Sequence, residues 1–496
     1  MKFVKYLFIS VAMLMMVSSC SKVEDKIESQ IPADALVVMK VDVPQLIEHS
    51  GIEVKGGKVT LPPKIKQLMA ENSDEAKEIE DNMGELQNSG IDLTHSFYLF
   101  VPDNAINENS ENMDFVALVP VKDDKKLTAY FKDKLNATFS EKDGMKVATN
   151  EEDGFFFALK DDILCITTSM SENPEKKLLS LISTDNNMTK NDEIVKALDG
   201  DYDVNIYVNS KKFKKFASKQ AENLDGPESM AFGSVFDIVD VQSTALHLSL
   251  ADNEWTIKSE NNFGKNSDYE KLVEMVAAKP DADLLAMMPT ANNAAVFSIS
   301  LNGEKVAEMD IVKKFLDQAQ GDPEFTKIID VFKSINGPIV VGFAADELNP
   351  EKANVVLAMK CDKANQLPSF VGSLPFAEAM TRNGDEYLIS QSPSDPKMAL
   401  GFKDKVLYFK ISSTDNTATM SNVGDVKSLF ANSVMAFYFT SKVDNMQMQM
   451  TMDSKDMKNG ETKFWVTENG KKLNPLDALT FFVKLQEQTN AMSLND

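Results

Sequence analysis

Three cysteines and three histidines in 496 residues leave little material for two kinds of chemistry. So few cysteines cannot build a disulfide scaffold, and so few imidazoles argue against a histidine metal centre. Tryptophan occurs twice, so the aromatic platforms on which sugar faces stack are scarce. Basic charge is also short: 52 Lys and Arg against 76 Asp and Glu give a net charge of −24. Such a surface repels phosphate backbones, which argues against a nucleic-acid partner. No apolar run reaches the roughly 20 residues that a bilayer-spanning helix needs. What remains is globular composition, 43% hydrophobic and 26% charged. A chain of this length outgrows a single core, so two large domains or a duplicated one are expected.

The amino terminus is patterned for export. Lys2 and Lys5 precede the apolar run from Tyr6 to Val17, and small residues follow. Val17-Ser18-Ser19-Cys20 resembles the lipobox of bacterial prolipoproteins. The resemblance implies a signal peptide over 1–19, diacylglycerol on the Cys20 sulfur, cleavage before Cys20 and acylation of the new amino terminus. Removing 1–19 leaves 50 basic against 76 acidic residues, net −26. Several acyl chains hold a protein firmly where one does so only marginally, so the chains on Cys20 suffice as the membrane contact. By resemblance to sorting rules of Gram-negative bacteria, Ser21 after the cysteine implies the outer membrane. Glu24 and Asp25 resemble the acidic export signal of Bacteroides-type surface lipoproteins. Periplasmic-facing and cell-surface placement both stay open at this point. Residues 20–30 read as a lipid-anchored polar tether.

Beyond the tether the chain reads as one unit written twice, over 31–279 and 280–496. Ile31-Pro32 leads into Val37-Val38-Met39, and Met288-Pro289 leads into Ala295-Val296-Phe297. An apolar helical face over Pro62–Gly90 has a counterpart ending at Gly337-Pro338, built on Phe315, Leu316, Phe325, Ile328, Ile329, Phe332 and Ile335. Phe97–Phe100 pairs with Val340–Phe343. Phe115–Leu118, followed by Phe131, pairs with Asn354–Leu357, followed by Phe370. The hairpin Lys160-Asp161-Asp162-Ile163 pairs with Lys403-Asp404-Lys405-Val406, and Tyr207–Lys211 with Tyr438–Lys442. Leu246–Leu250 and Met448–Met452 alternate with period two, the mark of a half-buried strand. A tryptophan strand follows each, at Trp255 and Trp465. Strands do not alternate regularly with helices, so a parallel doubly wound sheet is disfavoured. The expected fold is α+β: two tandem copies of a curved antiparallel sheet with helices on one face.

Catalytic motifs are missing. There is no nucleophile elbow, zincin helix, phosphate loop or Cys-x-x-Cys. His49 reads as a solvated cap at a helix end, His95 as a turn residue, and His247 as a polar-face strand residue matched by Gln449. Asp199, Asp201 and Asp203 have the spacing that opens a calcium loop, but Val204 and Ser210 stand where its glycine and glutamate belong. A polar turn is the better reading. Cys165 and Cys361 read as free buried thiols, and the Met446–Met452 stripe as one core-facing side. No catalytic, cofactor or metal residue is assigned; Cys20 is the one site residue.

With its lipobox, its Ile31-Pro32-Ala33-Asp34-Ala35 opening and its two copies, the chain resembles uncharacterised lipoproteins of Bacteroides-type bacteria, classed under a domain of unknown function. That resemblance implies location and architecture and brings no catalytic residues. The expected role is a non-enzymatic binding or structural one in the cell envelope, with an envelope protein or polymer as the partner. A carrier of an apolar ligand in a cavity between sheet and helices is the alternative, and a carboxylate-based hydrolase the third.

Overall fold

The structure, a computed structural model, describes residues 22–55, 58–69, 73–103, 115–142, 144–150, 154–168, 178, 185–213, 241–264, 269–276, 280–309, 312–313, 323–346, 352–366, 380–389, 397–412, 419–420 and 426–493. The signal peptide, Cys20, Phe315, Leu316 and Phe370 lie outside them. The chain forms two units, 1–265 with 472–480 and 266–471 with 481–496. Lys472–Thr480 belongs to the first unit although it follows most of the second in the chain.

Unit 1 opens with α1 (Lys22–Glu28), β1 (Val37–Val41) and α2 (Val43–Ser50), then a small hairpin of β2 (Glu53–Lys55) and β3 (Lys58–Thr60). Helices α3 (Pro63–Met69) and α4 (Ser73–Asn88) follow, then β4 (Phe97–Val101), β5 (Val116–Pro120) and α5 (Asp124–Lys134). Next come β6 (Ser140–Lys142), β7 (Met145–Asn150), β8 (Phe155–Lys160) and β9 (Ile163–Thr168). The unit continues with α6 (Asp192–Leu198), β10 (Val204–Val208), β11 (Val241–Ser249) and β12 (Trp255–Phe263). The helical pattern over 62–90 is carried by two helices, α3 and α4, among the described residues. Among the described residues, ten strands form one antiparallel sheet in the order β6-β7-β8-β9-β5-β4-β1-β10-β11-β12.

In unit 1 both faces of this sheet are packed, which corrects the expectation of helices on one face. Val41, Phe97, Phe157 and Leu164 meet Leu46 and Ile47 of α2 and Leu127 and Phe131 of α5. The alternate residues Val38, Tyr98, Phe100 and Cys165 meet Ile27 of α1 and Ile194 and Leu198 of α6. The reason is visible in β8, where Phe155 to Leu159 are all buried: an unbroken apolar run needs cover on both sides.

Unit 2 contains α7 (Tyr269–Met275), β13 (Asn293–Asn302), α8 (Gly303–Ala307), α9 (Pro323–Lys333), β14 (Ile335–Ala345) and β15 (Asn354–Cys361). It continues with β16 (Met380–Asn383), β17 (Glu386–Ile389), β18 (Lys397–Lys403), β19 (Val406–Ser412) and α10 (Val426–Asn432). Strands β20 (Met435–Val443), β21 (Met446–Ser454) and β22 (Asn459–Glu468) follow. Its ten described strands are antiparallel in the order β16-β17-β18-β19-β15-β14-β13-β20-β21-β22. Position for position this is the order of unit 1.

Local details agree. Both β8–β9 and β18–β19 turn on two left-handed residues, Asp161 (φ 52°) and Asp162 (φ 65°) in one, Asp404 (φ 47°) and Lys405 (φ 68°) in the other. Such paired positive φ values match the twist of a two-residue hairpin. Pro32 bridges Asn187 while Met188 N–H donates to Ile31 O at 2.7 Å; Pro289 bridges Thr419 while Met420 N–H donates to Met288 O at 2.9 Å.

The strand order matches where the residue alignment of the last strands does not. Tyr207 faces Ala245, and Tyr438 faces Thr451, so with these tyrosines aligned Leu246 corresponds to Met452 rather than Met448. Trp255 opens β12 directly after its turn, whereas Trp465 lies inside β22, opposite Gln449. A period-two pattern looks the same after any even shift, so alternation alone could not set this register.

Candidate functional site

Residues beside the expected anchor are folded. In place of a polar spacer, α1 docks on unit 1 with Ile27 fully buried. Glu24 accepts a hydrogen bond from Ser96 Oγ at 2.9 Å, and Glu28 one from Tyr98 Oη at 2.8 Å. Burial holds the Glu28 carboxyl above its ordinary range, and burial together with Glu28 and Glu24 raises the Tyr98 hydroxyl. Glu24, read as part of an export signal, is engaged in packing α1; Asp25 is exposed.

A polar cluster that the sequence did not single out closes the end of the unit 1 sheet. Asp42 caps α2 through Gln45 N–H at 3.0 Å, and burial raises its carboxyl. Gln45 Nε2 donates to Asp42 and to Asp201. Asp203 is fully buried, lies 2.9 Å from His49 Nδ1 and accepts Leu250 N–H at 2.6 Å. His49 is therefore not a solvated cap but the partner of a buried carboxylate. Gly51, which ends α2 at φ 87°, has no room for a Cβ, which would lie 2.7 Å from the Asn474 side chain. Asp199 caps α6, so the three aspartates serve a helix end, a side-chain bridge and a buried hydrogen-bonded contact with His49. The repeated aspartate spacing was the available signal; their separate partners come from α2 and the β11–β12 turn.

The remaining expected residues fall as follows. His247 is buried, bonds Asn205 Oδ1 at 2.6 Å and stacks on Tyr202 at 4.6 Å; burial lowers its pKa. His95 contacts Asp92 at 3.3 Å and Thr94 at 3.1 Å in the turn before β4. Gln449 bridges Tyr438 Oη and Trp465 Nε1, each at 3.2 Å. Cys165 and Cys361 are free and buried, and burial pushes the Cys165 thiol up to about 12. Of the methionine stripe, Met446 and Met448 are buried while Met450 and Met452 are half-exposed.

Those last two belong to the surface with the clearest capacity to bind. Across six strands of unit 2, Phe409, Leu357, Val341, Phe297, Phe437 and Met452 face one another in register. At strand spacing the row is about 24 Å long. All six are partly exposed, Val341 to 39%. A second row runs beside it through Ile411, Val355, Phe343, Ala295, Phe439 and Met450, also partly exposed. The positions of the first row correspond in unit 1 to Ile166, Ala117, Leu99, Met39, Ile206 and Leu246. In unit 1 this row lies on the face covered by α2 and α5: Ile166 is buried there, and Met39 and Ala117 pack against the same core. None of the twelve residues of the unit 2 rows carries a charge or a hydrogen-bonding side chain. Contiguous apolar surface of this extent marks interaction sites.

No family model matches this chain, and no curated protein does. Among solved structures, crystal form III of TP0453 is similar at a TM-score of 0.30 and 11% identity, covering 48% of this chain and 80% of that one. Crystal form IV of TP0453 gives 0.29 and 14%, with 47% and 79% covered. Likeness at this level does not assign a fold or a role.

Proposed function

We propose that this is a lipid-anchored cell-envelope protein, acylated at Cys20 and built of two diverged copies of one unit, that binds a partner without catalysis through the apolar sheet face of unit 2. The lipobox and outer-membrane reading rest on Val17–Ser21. The duplication is supported by the identical strand order, the paired hairpin turns and the matched proline bridges. The observation that carries the binding role is the pair of adjacent, register-matched apolar rows of unit 2, Phe409 to Met452 and Ile411 to Met450. Cross-linking and pull-down of the lipidated protein from its native envelope tests it: a specific protein or polymer partner supports the reading, and turnover of a glycan or peptide library overturns it.

The apolar character of the same rows favours a second reading, a carrier of an apolar ligand. A partner protein would meet such a face with apolar side chains, a lipid with its acyl chains. Solvent extraction of the gently purified protein followed by mass spectrometry separates the two. A stoichiometric lipid supports the carrier; an empty extract alongside a recovered protein partner supports the first reading.

A further inference from the structure

Helix α1 leaves no slack between Cys20 and unit 1. It begins at Lys22, and two residues of chain span at most about 7 Å. Val23 and Ile27 pack on the core of the unit, and Ile27 is fully buried. Glu24 faces Lys40 Nζ at 3.9 Å and Ser96 Oγ at 2.9 Å, while Glu28 binds Tyr98 Oη. These contacts also set direction. Because Glu24 lies at the Ser96 end of β4 and Glu28 one step along it, the start of α1 points to the sheet end where β4 and β10 begin. Exposed Lys122, just past β5, lies at that same end; exposed Lys211, past β10, lies at the other.

We infer that α1 is a rigid mount that holds the Ser96–Lys122 end of unit 1 against the bilayer, with the lipid headgroups around the Cys20 acyl chains as its partner surface. This rests on the acylation proposed above. A docked helix replaces the flexible spacer that would let the unit tumble, so the orientation of unit 1 to the membrane is set by Ile27, Glu24 and Glu28 rather than by chain diffusion.

The test uses the full lipidated chain in phosphatidylethanolamine–phosphatidylglycerol vesicles carrying a nitroxide-headgroup lipid. Fluorophores are placed through Lys122→Cys and Lys211→Cys, the native Cys165 and Cys361 being buried. Each protein is also made with ten Gly and Ser residues inserted between Ser21 and Lys22, which leaves α1 intact. Acyl mass is measured on every sample. Quenching several-fold stronger at 122 than at 211, reduced to near parity by the insertion, is the expected result. Equal quenching in protein of confirmed acyl mass overturns the mount alone. Absence of acyl mass overturns the acylation reading and the mount with it.

Discussion

His49 on α2 and Asp203 at the start of β10 meet at 2.9 Å across the end of the unit 1 sheet, the carboxylate fully buried and the imidazole partly so. The second Asp203 oxygen takes Leu250 N–H, so one side chain joins α2, β10 and the β11–β12 turn. Asp203→Ala leaves the buried Leu250 N–H without its acceptor and removes the partner of His49, and is expected to cost about 1–3 kcal/mol. His49→Ala leaves the Leu250 bond in place and costs less. Thermal melts of the two variants check the order; equal small losses would show that the pair contributes nothing.

Glu28 supplies the pH dependence. Its carboxyl is held above the ordinary 4.5, with burial the largest cause. The folded state therefore favours the protonated form: the stability this contributes is full below pH 4.5 and is lost as pH rises through the raised value. Glu28→Gln keeps an acceptor for Tyr98 and removes that loss. Its melting temperature relative to wild type is expected to be higher at pH 7 than at pH 4. An unchanged difference across that range refutes the assignment.

In the β8–β9 turn, Asp162 sits at φ 65°, a conformation that glycine adopts without strain. Asp162→Gly is expected to raise stability by up to about 1 kcal/mol. A destabilised variant would mean that the Asp162 side chain is needed where it stands.

Cys165 is buried with its thiol pushed up to about 12, so the native protein at pH 8 presents almost no thiolate there. Iodoacetamide is expected to leave it unmodified until the chain is unfolded. Rapid native alkylation, read by peptide mass, would contradict the burial.

Val341 is the most exposed residue of the unit 2 row, at 39%. Val341→Lys is expected to shift the melting temperature by no more than a degree or two, because a surface change away from the core moves stability by only about 0.5 kcal/mol. Capture of the partner or lipid should fall at least tenfold. Full retention of binding would remove this face from the proposed site.

The sequence by itself determined the elements and their periodicity. Alternation marked β11 and β21, and the Lys160–Ile163 and Lys403–Val406 hairpins stood out by their turn residues. Hydrophobic period and turn chemistry are local properties, readable from neighbours along the chain. Register, partners and cover were decided only by the tertiary structure. Leu246 falls opposite Ile206 and in the position of Met452 because strand pairing selects one of several even shifts that alternation leaves equal. His49 could be assigned as a solvated cap until Asp203, 154 positions away, was placed beside it. A tether rich in charge became a docked helix because Ser96, Tyr98 and the core around Ile27 supply partners for both its polar and its apolar side. Those partners are distant in sequence, and only the folded chain brings them together.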